Sequence, residues 1–266
     1  MLLSDRDVAL VAAEAGAAIV RSRYGDSLPR LEKGRGDFAT AADFDAERAI
    51  LDVLRSARPQ DGVEGEEGGR TGPAGDRLWL VDPLCGTLNY AAKTPLVAVN
   101  VALRDGGGIT AAVSADPFAC ELFWTEGGHA FRRRDGVDDQ LTPSAESKLV
   151  DVNLDPPFPN GHAFRAVELL ADEEFAVCFR PRVISTSLAV AWVAAGRRAA
   201  YVTDGHLADS VHFASGIALC QAASCVVTGL QGQPLHTGVG GLVAAADEAT
   251  HAALLAVIGK QFMAAG

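Results

Sequence analysis

Apolar residues recur at helical spacing in two segments near the amino terminus. In the first, Ser4 precedes Asp7 by three residues, a variant of the capping box, and an Ala- and Val-rich stretch continues to about Gly25. In the second, residues 43–57 place their apolar side chains on one face, with a proline beyond the end. The pattern predicts two amphipathic helices with a polar loop, residues 28–41, between them.

The most apolar segment of the first half is a candidate buried strand. Residues 78–81 are all apolar and run directly into Asp82 and Pro83. Since a proline cannot donate to a strand ladder, the strand is expected to end at Asp82, where α/β folds tend to place their chemistry. Shorter apolar runs then predict an antiparallel meander at residues 97–103, 109–114 and 121–125.

The second half of the chain alternates between helical and strand patterns, which is typical of βαβ units. Helices are expected at residues 164–171, 187–195, 212–222 and from about 247. Strands are expected at residues 175–180, 199–203, 226–228 and 241–246. A polar connection at residues 132–147 divides this half from the first. We therefore predict an α+β half, residues 1–147, and an α/β half, residues 148–266, within one compact catalytic unit.

The composition is that of an ordinary globular protein, with 266 residues, 48% hydrophobic and 21% charged. A formal net charge of −11 argues against nucleic acid and anionic membranes as partners. No apolar run approaches the ~18 residues that a membrane span needs. Five widely spaced cysteines argue against a disulfide framework, so we expect a protein of the reducing cytoplasm.

Residues 82–90 carry the strongest motif of the chain and read Asp-Pro-Leu-Cys-Gly-Thr-Leu-Asn-Tyr. This run resembles the signature D-P-(I/L)-D-G-T-x-N-(F/Y) of the inositol monophosphatase family and departs from it at Cys85. Residues 37–43 resemble the D-x-V-T-x-x-D segment of the same family. The resemblance covers nearly the whole chain. It implies a layered αβαβα sandwich, magnesium-dependent phosphatase chemistry and a homodimer.

The resemblance also implies a set of metal-binding positions, and part of that set is kept. Glu66, Asp82 and the backbone carbonyl of Leu84 match family ligands. Thr87 matches the threonine that helps to hold the attacking water. These residues could still hold one magnesium ion, because magnesium prefers oxygen ligands.

Two further ligand positions are altered. Cys85 and His212 stand where the family has aspartates, and Asp209 is an alternative counterpart of the second one. A thiol and an imidazole remove about two negative charges and two hard donors, so a pair of magnesium ions ~4 Å apart should not survive. Because the lost carboxylates bind the same ion in the family, Cys85 and His212 are expected to meet.

A thiol beside an imidazole is the arrangement of an activated nucleophile. The leading hypothesis is therefore a repurposed enzyme for acyl or thioester transfer, or a related condensation or hydrolysis, that needs no cofactor. Thr87 and the N–H groups around Gly86 would form an oxyanion hole, and an aspartate would orient the imidazole. The residues assigned to catalysis are Cys85, His212, Thr87 and Asp82.

Three alternatives stay open. One is a magnesium-dependent phosphate monoesterase for a sugar, inositol or nucleotide phosphate, with an impaired second metal site. Another is a zinc site built from Glu66, Asp82, Cys85 and His212. The third is a binder of small molecules that has lost turnover.

The substrate is expected to be a small molecule, either free or carried by another molecule. Ser185 and Thr186 fall where family members place a substrate-contacting loop, although capping the next helix is an equal interpretation. The residues assigned to substrate binding are Gly86, Thr87, Ser185, Thr186 and Asp209.

Overall fold

The structure is a computed structural model that describes residues 3–27, 29–34, 37–154 and 164–264. Its helices are α1 (Asp5–Ser22), α2 (Ala41–Ala57), α3 (Thr87–Ala91), α4 (Ala166–Ala171), α5 (Glu173–Cys178), α6 (Leu188–Ala194), α7 (Ala214–Ala222) and α8 (Glu248–Ala264). Among these described residues, no helix is long and apolar enough to cross a membrane.

The strands alternate with these helices along the chain. Those before α4 are β1 (Arg30–Gly34), β2 (Asp37–Thr40), β3 (Gly62–Gly65), β4 (Gly69–Thr71), β5 (Leu78–Cys85), β6 (Ala98–Asp105), β7 (Gly108–Asp116), β8 (Glu121–Glu126), β9 (His129–Arg134), β10 (Val137–Gln140) and β11 (Leu149–Val152). The later ones are β12 (Arg180–Val183), β13 (Ala200–Thr203), β14 (Val226–Thr228) and β15 (Leu242–Ala245).

The strands form one hairpin, β1–β2, and two larger sheets. The eight-stranded sheet has the order β10-β9-β8-β7-β6-β5-β3-β4, and only its β3–β5 pair is parallel. The five-stranded sheet has the order β12-β11-β13-β15-β14, with β11 parallel to both of its neighbours. The alternation of helix and strand in the second half therefore produces parallel pairing there.

The described residues divide into two compact units. The first contains the residues up to Gln140 together with Thr186–Leu188 and Asp209–Leu219. The second contains the other described residues. Two short segments of the second half thus belong to the first unit, and one of them carries His212. The predicted division between residues 147 and 148 stays a prediction.

The core of the first unit lies between its two long helices and the eight-stranded sheet. The Ser4 side chain accepts the Asp7 N–H at the start of α1, and Thr40 and Asp43 form a capping box at the start of α2. The helices touch each other closely, because Gly16 of α1 lies where a Cβ would come within 2.7 Å of Ile50. Apolar residues of α1, α2 and β5–β7 fill this core.

β5 is longer than the sequence pattern predicted. It continues past Asp82 to Cys85, and its pairing with β6 shifts register between those two residues. The irregularity accommodates Pro83, which has no N–H to donate, without ending the strand. As a result Asp82 and Cys85 both lie on one strand, with Asp82 fully buried.

Three segments differ from the predicted elements. The expected loop at residues 28–41 contains the hairpin β1–β2, whose first strand is exposed throughout and so has no hydrophobic alternation to reveal it. The expected polar connection contains β9 and β10. The expected strand at residues 175–180 is mostly α5, because a short apolar run does not distinguish a strand from a buried helix.

Asp151 of β11 gives the second unit a pH-dependent stability. Its side chain is fully buried, and Arg198 Nε donates to Oδ2 at 2.7 Å. Oδ1 has no hydrogen-bond partner among the residues that the structure describes. Burial raises the pKa of Asp151 to about 6, against the charge of Arg198. The folded state therefore binds a proton that the unfolded chain has already released, in the interval from about pH 4 to about pH 6.

We expect the free energy of unfolding to fall by about 3 kcal/mol from this residue as the pH rises from about 4 to about 6. In Asp151→Asn this decrease should be missing. The substitution can change the free energy of unfolding, but by the same amount at every pH in this interval. Urea unfolding at several pH values on both proteins checks the difference in slope. Equal slopes in the two proteins would contradict the raised pKa.

Candidate active site

Asp82 is the centre of a group of converging polar side chains in the first unit, which we call the pocket. It lies on β5, between β3 and β6, and is fully buried. Its Oδ1 accepts the N–H of Leu84 at 3.2 Å, and its Oδ2 lies 2.8 Å from Nδ1 of His212. The buried side chain of Asn100, on β6, reaches the same Oδ2 at 3.5 Å. The strand order thus fixes one carboxylate at the point where several polar groups converge.

The structure brings Cys85 and His212 together at this carboxylate. One donor atom from each of Asp82, Cys85 and His212 lies within 4.8 Å of the other two. The sulfur of Cys85 also accepts the N–H of Ser187 at 3.2 Å. His212, not Asp209, therefore occupies the place beside Asp82.

The charges in this trio are those of an ion pair beside a neutral thiol. Burial alone would lower the pKa of His212, but the charge of Asp82 and its hydrogen bond raise it well above the ordinary value. Burial would raise the pKa of Asp82, yet the charge of His212 keeps it below its usual range. Burial, and then the charge of Asp82, raise the pKa of the Cys85 thiol. These directions favour an imidazolium at His212 and disfavour a thiolate at Cys85.

Glu66 brings a second carboxylate to the pocket from the turn after β3. Its N–H donates to the carbonyl of Val81 at 3.0 Å, which fixes the turn against β5. Its Oε2 lies 4.0 Å from Nδ1 of His212 and has no hydrogen-bond partner in the described part of the chain. Burial, and then the charge of Asp82, raise the pKa of Glu66 well above its usual value. Burial and the repulsion between the two carboxylates thus disfavour the charged form of Glu66.

Lys33, on the exposed strand β1, supplies part of the missing positive charge. Its Nζ lies 3.0 Å from Glu66 Oε1 and 2.7 Å from Glu67 Oε1. Burial would lower the pKa of Lys33, but the charge of Glu66 raises it above the ordinary value. The hairpin β1–β2 therefore places an ammonium group at the outer side of the Glu66 carboxylate.

Thr87 and Asp43 form a hydroxyl–carboxylate pair. Thr87 Oγ1 donates to Asp43 Oδ1 at 2.9 Å and lies 3.2 Å from the carbonyl oxygen of Leu84. Asp43 is fully buried, and its Oδ2 accepts the N–H and the hydroxyl of Thr40 at 2.8 and 2.6 Å. Burial raises the pKa of Asp43, and the hydrogen bonds from Thr40 and Thr87 oppose that rise. A carboxylate of this kind is suited to accept a proton through the hydroxyl of Thr87.

The turn that carries Glu66 is held by Glu47 of α2. The two carboxylate oxygens of Glu47 accept the N–H groups of Glu67 and Gly68 at 2.9 and 2.8 Å. A Cβ at Gly65 or Gly68 would come within 2.6 or 2.7 Å of that carboxylate. A side chain at either position would displace the Glu47 carboxylate from these hydrogen bonds, and Glu47 is a positioning residue for Glu66.

Glu47→Gln is expected to lower the free energy of unfolding by about 2 kcal/mol, because an amide NH₂ would face one of two buried N–H groups. Urea unfolding measures this change. Asp52→Asn, on an exposed position of the same helix, is the matched control and should stay within about 0.5 kcal/mol of the wild type. Similar losses in both variants would contradict the role of Glu47.

The structure places the other four residues that were predicted to bind the substrate as follows. Thr186 Oγ1 donates to the carbonyl of Cys85 at 3.2 Å and also accepts the N–H of Leu188. Gly86 has a φ of 106°, which favours glycine, and precedes the short helix α3. The carboxylate of Asp209 pairs with Arg104 on β6. Ser185 belongs to the second unit.

Sequence reasoning missed the supporting residues of the pocket. Asp43 lies within the family-like segment 37–43, but an acid at the start of a helix is equally well explained as a helix cap, so it was not assigned to the site. Glu47 and Asn100 lie on an ordinary helix and strand, and nothing in their local sequence distinguishes them. Lys33 was missed because it lies in the hairpin that was predicted to be a loop.

Comparisons with known proteins agree with the fold. The model of the "Inositol monophosphatase family" matches residues 3–261. An inositol-1-monophosphatase of Caulobacter vibrioides is 34% identical over 231 residues, 84% of this chain and 88% of that protein. One of Mesorhizobium japonicum is 34% identical over 260 residues, 95% of each chain. The crystal structure of the extragenic suppressor protein suhB from Bartonella henselae superimposes with a TM-score of 0.84 at 27% identity, over 96% of this chain and 98% of that one. The predicted layered α/β fold is confirmed.

Two predictions from the sequence are wrong. The relatives are named as monophosphatases, which are hydrolases, so a Cys85–His212 enzyme for acyl or thioester transfer is contradicted. The pocket agrees with this correction, because the charge of Asp82 favours an imidazolium at His212, and an imidazolium cannot take a proton from the Cys85 thiol. The expectation that no cofactor takes part is contradicted as well, since the matching family is magnesium-dependent.

Proposed function

The chain belongs to the inositol monophosphatase family, and on that premise we propose that it is a magnesium-dependent hydrolase of phosphate monoesters. The substrate would be the phosphate ester of a sugar, an inositol or a nucleotide. The observation that carries the proposal is the hydrogen bond of Thr87 to the buried carboxylate of Asp43, next to the segment that carries Asp82.

The oxygen donors of the pocket fit one magnesium ion. Glu66, Asp82 and the carbonyl of Leu84 offer the hard ligands that magnesium prefers. A divalent cation would also resolve the two unfavourable features of Glu66, its unpartnered buried oxygen and its raised pKa. When bound, magnesium polarises a phosphoryl oxygen and lowers the pKa of a coordinated water.

Thr87 and Asp43 would remove the proton from the attacking water. The hydroxyl of Thr87 donates to Asp43, so its lone pairs are free to accept a proton from that water. As the water oxygen attacks phosphorus, its proton passes to Thr87 Oγ1, and the proton of Thr87 passes to Asp43 Oδ1. The bond from phosphorus to the ester oxygen breaks, and the alcohol leaves with the electron pair and takes a proton from solvent. Asp43 then returns its proton to solvent. One water is consumed, and an alcohol and inorganic phosphate are released.

His212 would reduce the electrostatic repulsion between the pocket and an anionic substrate. Glu66 and Asp82 would repel a phosphate dianion, and the imidazolium offsets part of their negative charge. In this proposal His212 supplies charge and takes no proton during the reaction. Gly86, Thr186, Ser185 and Asp209 stay predicted substrate contacts.

Phosphate release from a panel of sugar, inositol and nucleotide monophosphates tests the proposal. With millimolar magnesium we expect turnover of at least one substrate, and chelation should abolish it. Asp43→Asn, purified in the same way, is the matched control against a contaminating phosphatase. No release from any substrate, or equal release from the variant, would overturn the proposal.

The expected homodimer and the expected cytoplasmic location stay predictions. Light scattering on the purified chain across a range of concentrations would measure the oligomeric state. A mass that corresponds to one chain at every concentration would exclude the dimer.

A further inference from the structure

The altered side of the pocket has a donor set of its own. Asp82, Cys85 and His212 offer one oxygen, one sulfur and one nitrogen, and these atoms lie within 4.8 Å of one another. All three belong to the first unit. Asp82 is fully buried, and the side chain of His212 is 24% exposed, so the trio can be reached from solvent on the side of the imidazole.

These donors are unsuited to magnesium but suited to a softer cation. Thiolate and imidazole ligands select zinc and similar metals, whereas magnesium demands oxygen. Zinc with three protein ligands keeps a fourth position for water. With Zn–S of ~2.3 Å and Zn–N or Zn–O of ~2.0 Å, tetrahedral geometry places the donors roughly 3.3–3.6 Å apart. The observed donor atoms lie within 4.8 Å of one another, and Asp82 and His212 at 2.8 Å would have to move apart to admit the ion.

Neighbouring residues hold the trio in place. Ser187 donates its N–H to the sulfur of Cys85 at 3.2 Å, and its hydroxyl accepts from Asn100 Nδ2 at 2.7 Å. Ser114, which is also buried, donates to Asn100 Oδ1 at 2.7 Å. Hydrogen bonds of this kind around ligands raise metal affinity because they fix the orientation of the donors.

We propose that Asp82, Cys85 and His212 form a binding site for a borderline divalent cation, represented by Zn²⁺, at the place where the family resemblance implies a second magnesium ion. Zn²⁺ binds there in preference to Mg²⁺, since thiolate and imidazole donors suit it. Its binding displaces the proton of the His212 imidazolium and the proton of the Cys85 thiol into solvent. The inference shares Asp82 and His212 with the proposed hydrolase, because a cation in this site would take over the positive charge of the imidazolium. It does not require that activity.

Cobalt substitution on the full-length chain tests this site. After removal of bound metal with a chelator, Co²⁺ is added as a spectroscopic substitute for Zn²⁺. We expect a sulfur-to-cobalt charge-transfer absorption in the near ultraviolet. Stoichiometric Zn²⁺ should remove this absorption, and a large excess of Mg²⁺ should leave it.

Two single substitutions test whether Cys85 is the sulfur ligand that produces the absorption. Cys85→Ser should abolish it and weaken Zn²⁺ binding by roughly tenfold to a hundredfold or more, as measured with a competing chelating dye. Cys120→Ser, at an exposed cysteine of the same unit, is the matched control and should keep both. Circular dichroism on each variant confirms that it is folded.

Three results would contradict the proposed zinc site. No charge-transfer absorption in the wild type, its survival in Cys85→Ser, or its loss with Mg²⁺ would each overturn the proposal. Phosphate release measured in parallel separates the two proposals. Release with magnesium but no cobalt absorption would refute only the zinc site, and the absorption without release would refute only the hydrolase.

Discussion

Asp43→Asn is expected to lower the kcat of magnesium-dependent phosphate release by about 10²- to 10⁴-fold, the range typical of a lost general base. Asparagine has the shape of aspartate, and its carbonyl can still accept from Thr40 at the start of α2. Its NH₂ group would then face Thr87 and donate to the hydroxyl. Thr87 could then no longer pass a proton to residue 43, so the attacking water would keep both of its protons.

Steady-state kinetics with each variant check this effect. The KM and the affinity for magnesium should stay near their wild-type values, because Asp43 is not among the oxygen donors assigned to the ion. Thr87→Val should resemble Asp43→Asn, and Thr87→Ser, which keeps the hydroxyl, should recover most of the rate. A variant Asp43→Asn that retains the wild-type kcat would remove Asp43 from the mechanism.

The Asp43–Thr87 pair also shows what the sequence could reveal about this site. The apolar run at residues 78–81 predicted the strand that carries Asp82, because it is a local feature, and the resemblance of residues 82–90 to the family signature predicted the fold. The partner of Thr87 lies 44 residues earlier in the chain, on a helix. A helix cap and a proton acceptor require the same residue type at that position, so the local sequence does not separate them.

The charges of the pocket were not predictable from residue types. A cysteine and a histidine at partner positions suggested a nucleophile, since that pair usually acts so. The decisive factor is Asp82, whose buried carboxylate holds His212 as an imidazolium and disfavours a thiolate at Cys85. That balance depends on burial and on a separation of 2.8 Å, and both are properties of the fold.

Restoring the two family carboxylates, in the double variant Cys85→Asp and His212→Asp, is expected to create a second magnesium site. The change replaces a thiol and an imidazolium by hard oxygen donors beside Asp82. The Ser187 N–H, which now donates to the sulfur of Cys85, could donate to the new carboxylate at residue 85 instead. Calorimetry should show that the number of bound magnesium ions rises from one to two. A second ion typically stabilises the transition state by several kcal/mol, so kcat should rise by about 10²-fold or more.

Thermal unfolding gives a readout of the same variant that does not depend on activity. Without metal, the double variant would bury its carboxylates beside Glu66 with no imidazolium to compensate them, so its Tm should fall below that of the wild type. Millimolar magnesium should restore the Tm, because an ion that binds only the folded state stabilises it. Each single substitution leaves one soft or mismatched donor and should bind no second magnesium ion. The opposite result would be a double variant that binds one magnesium ion and has the same Tm with and without magnesium. It would show that Cys85 and His212 are not the reason why this pocket lacks a second magnesium ion.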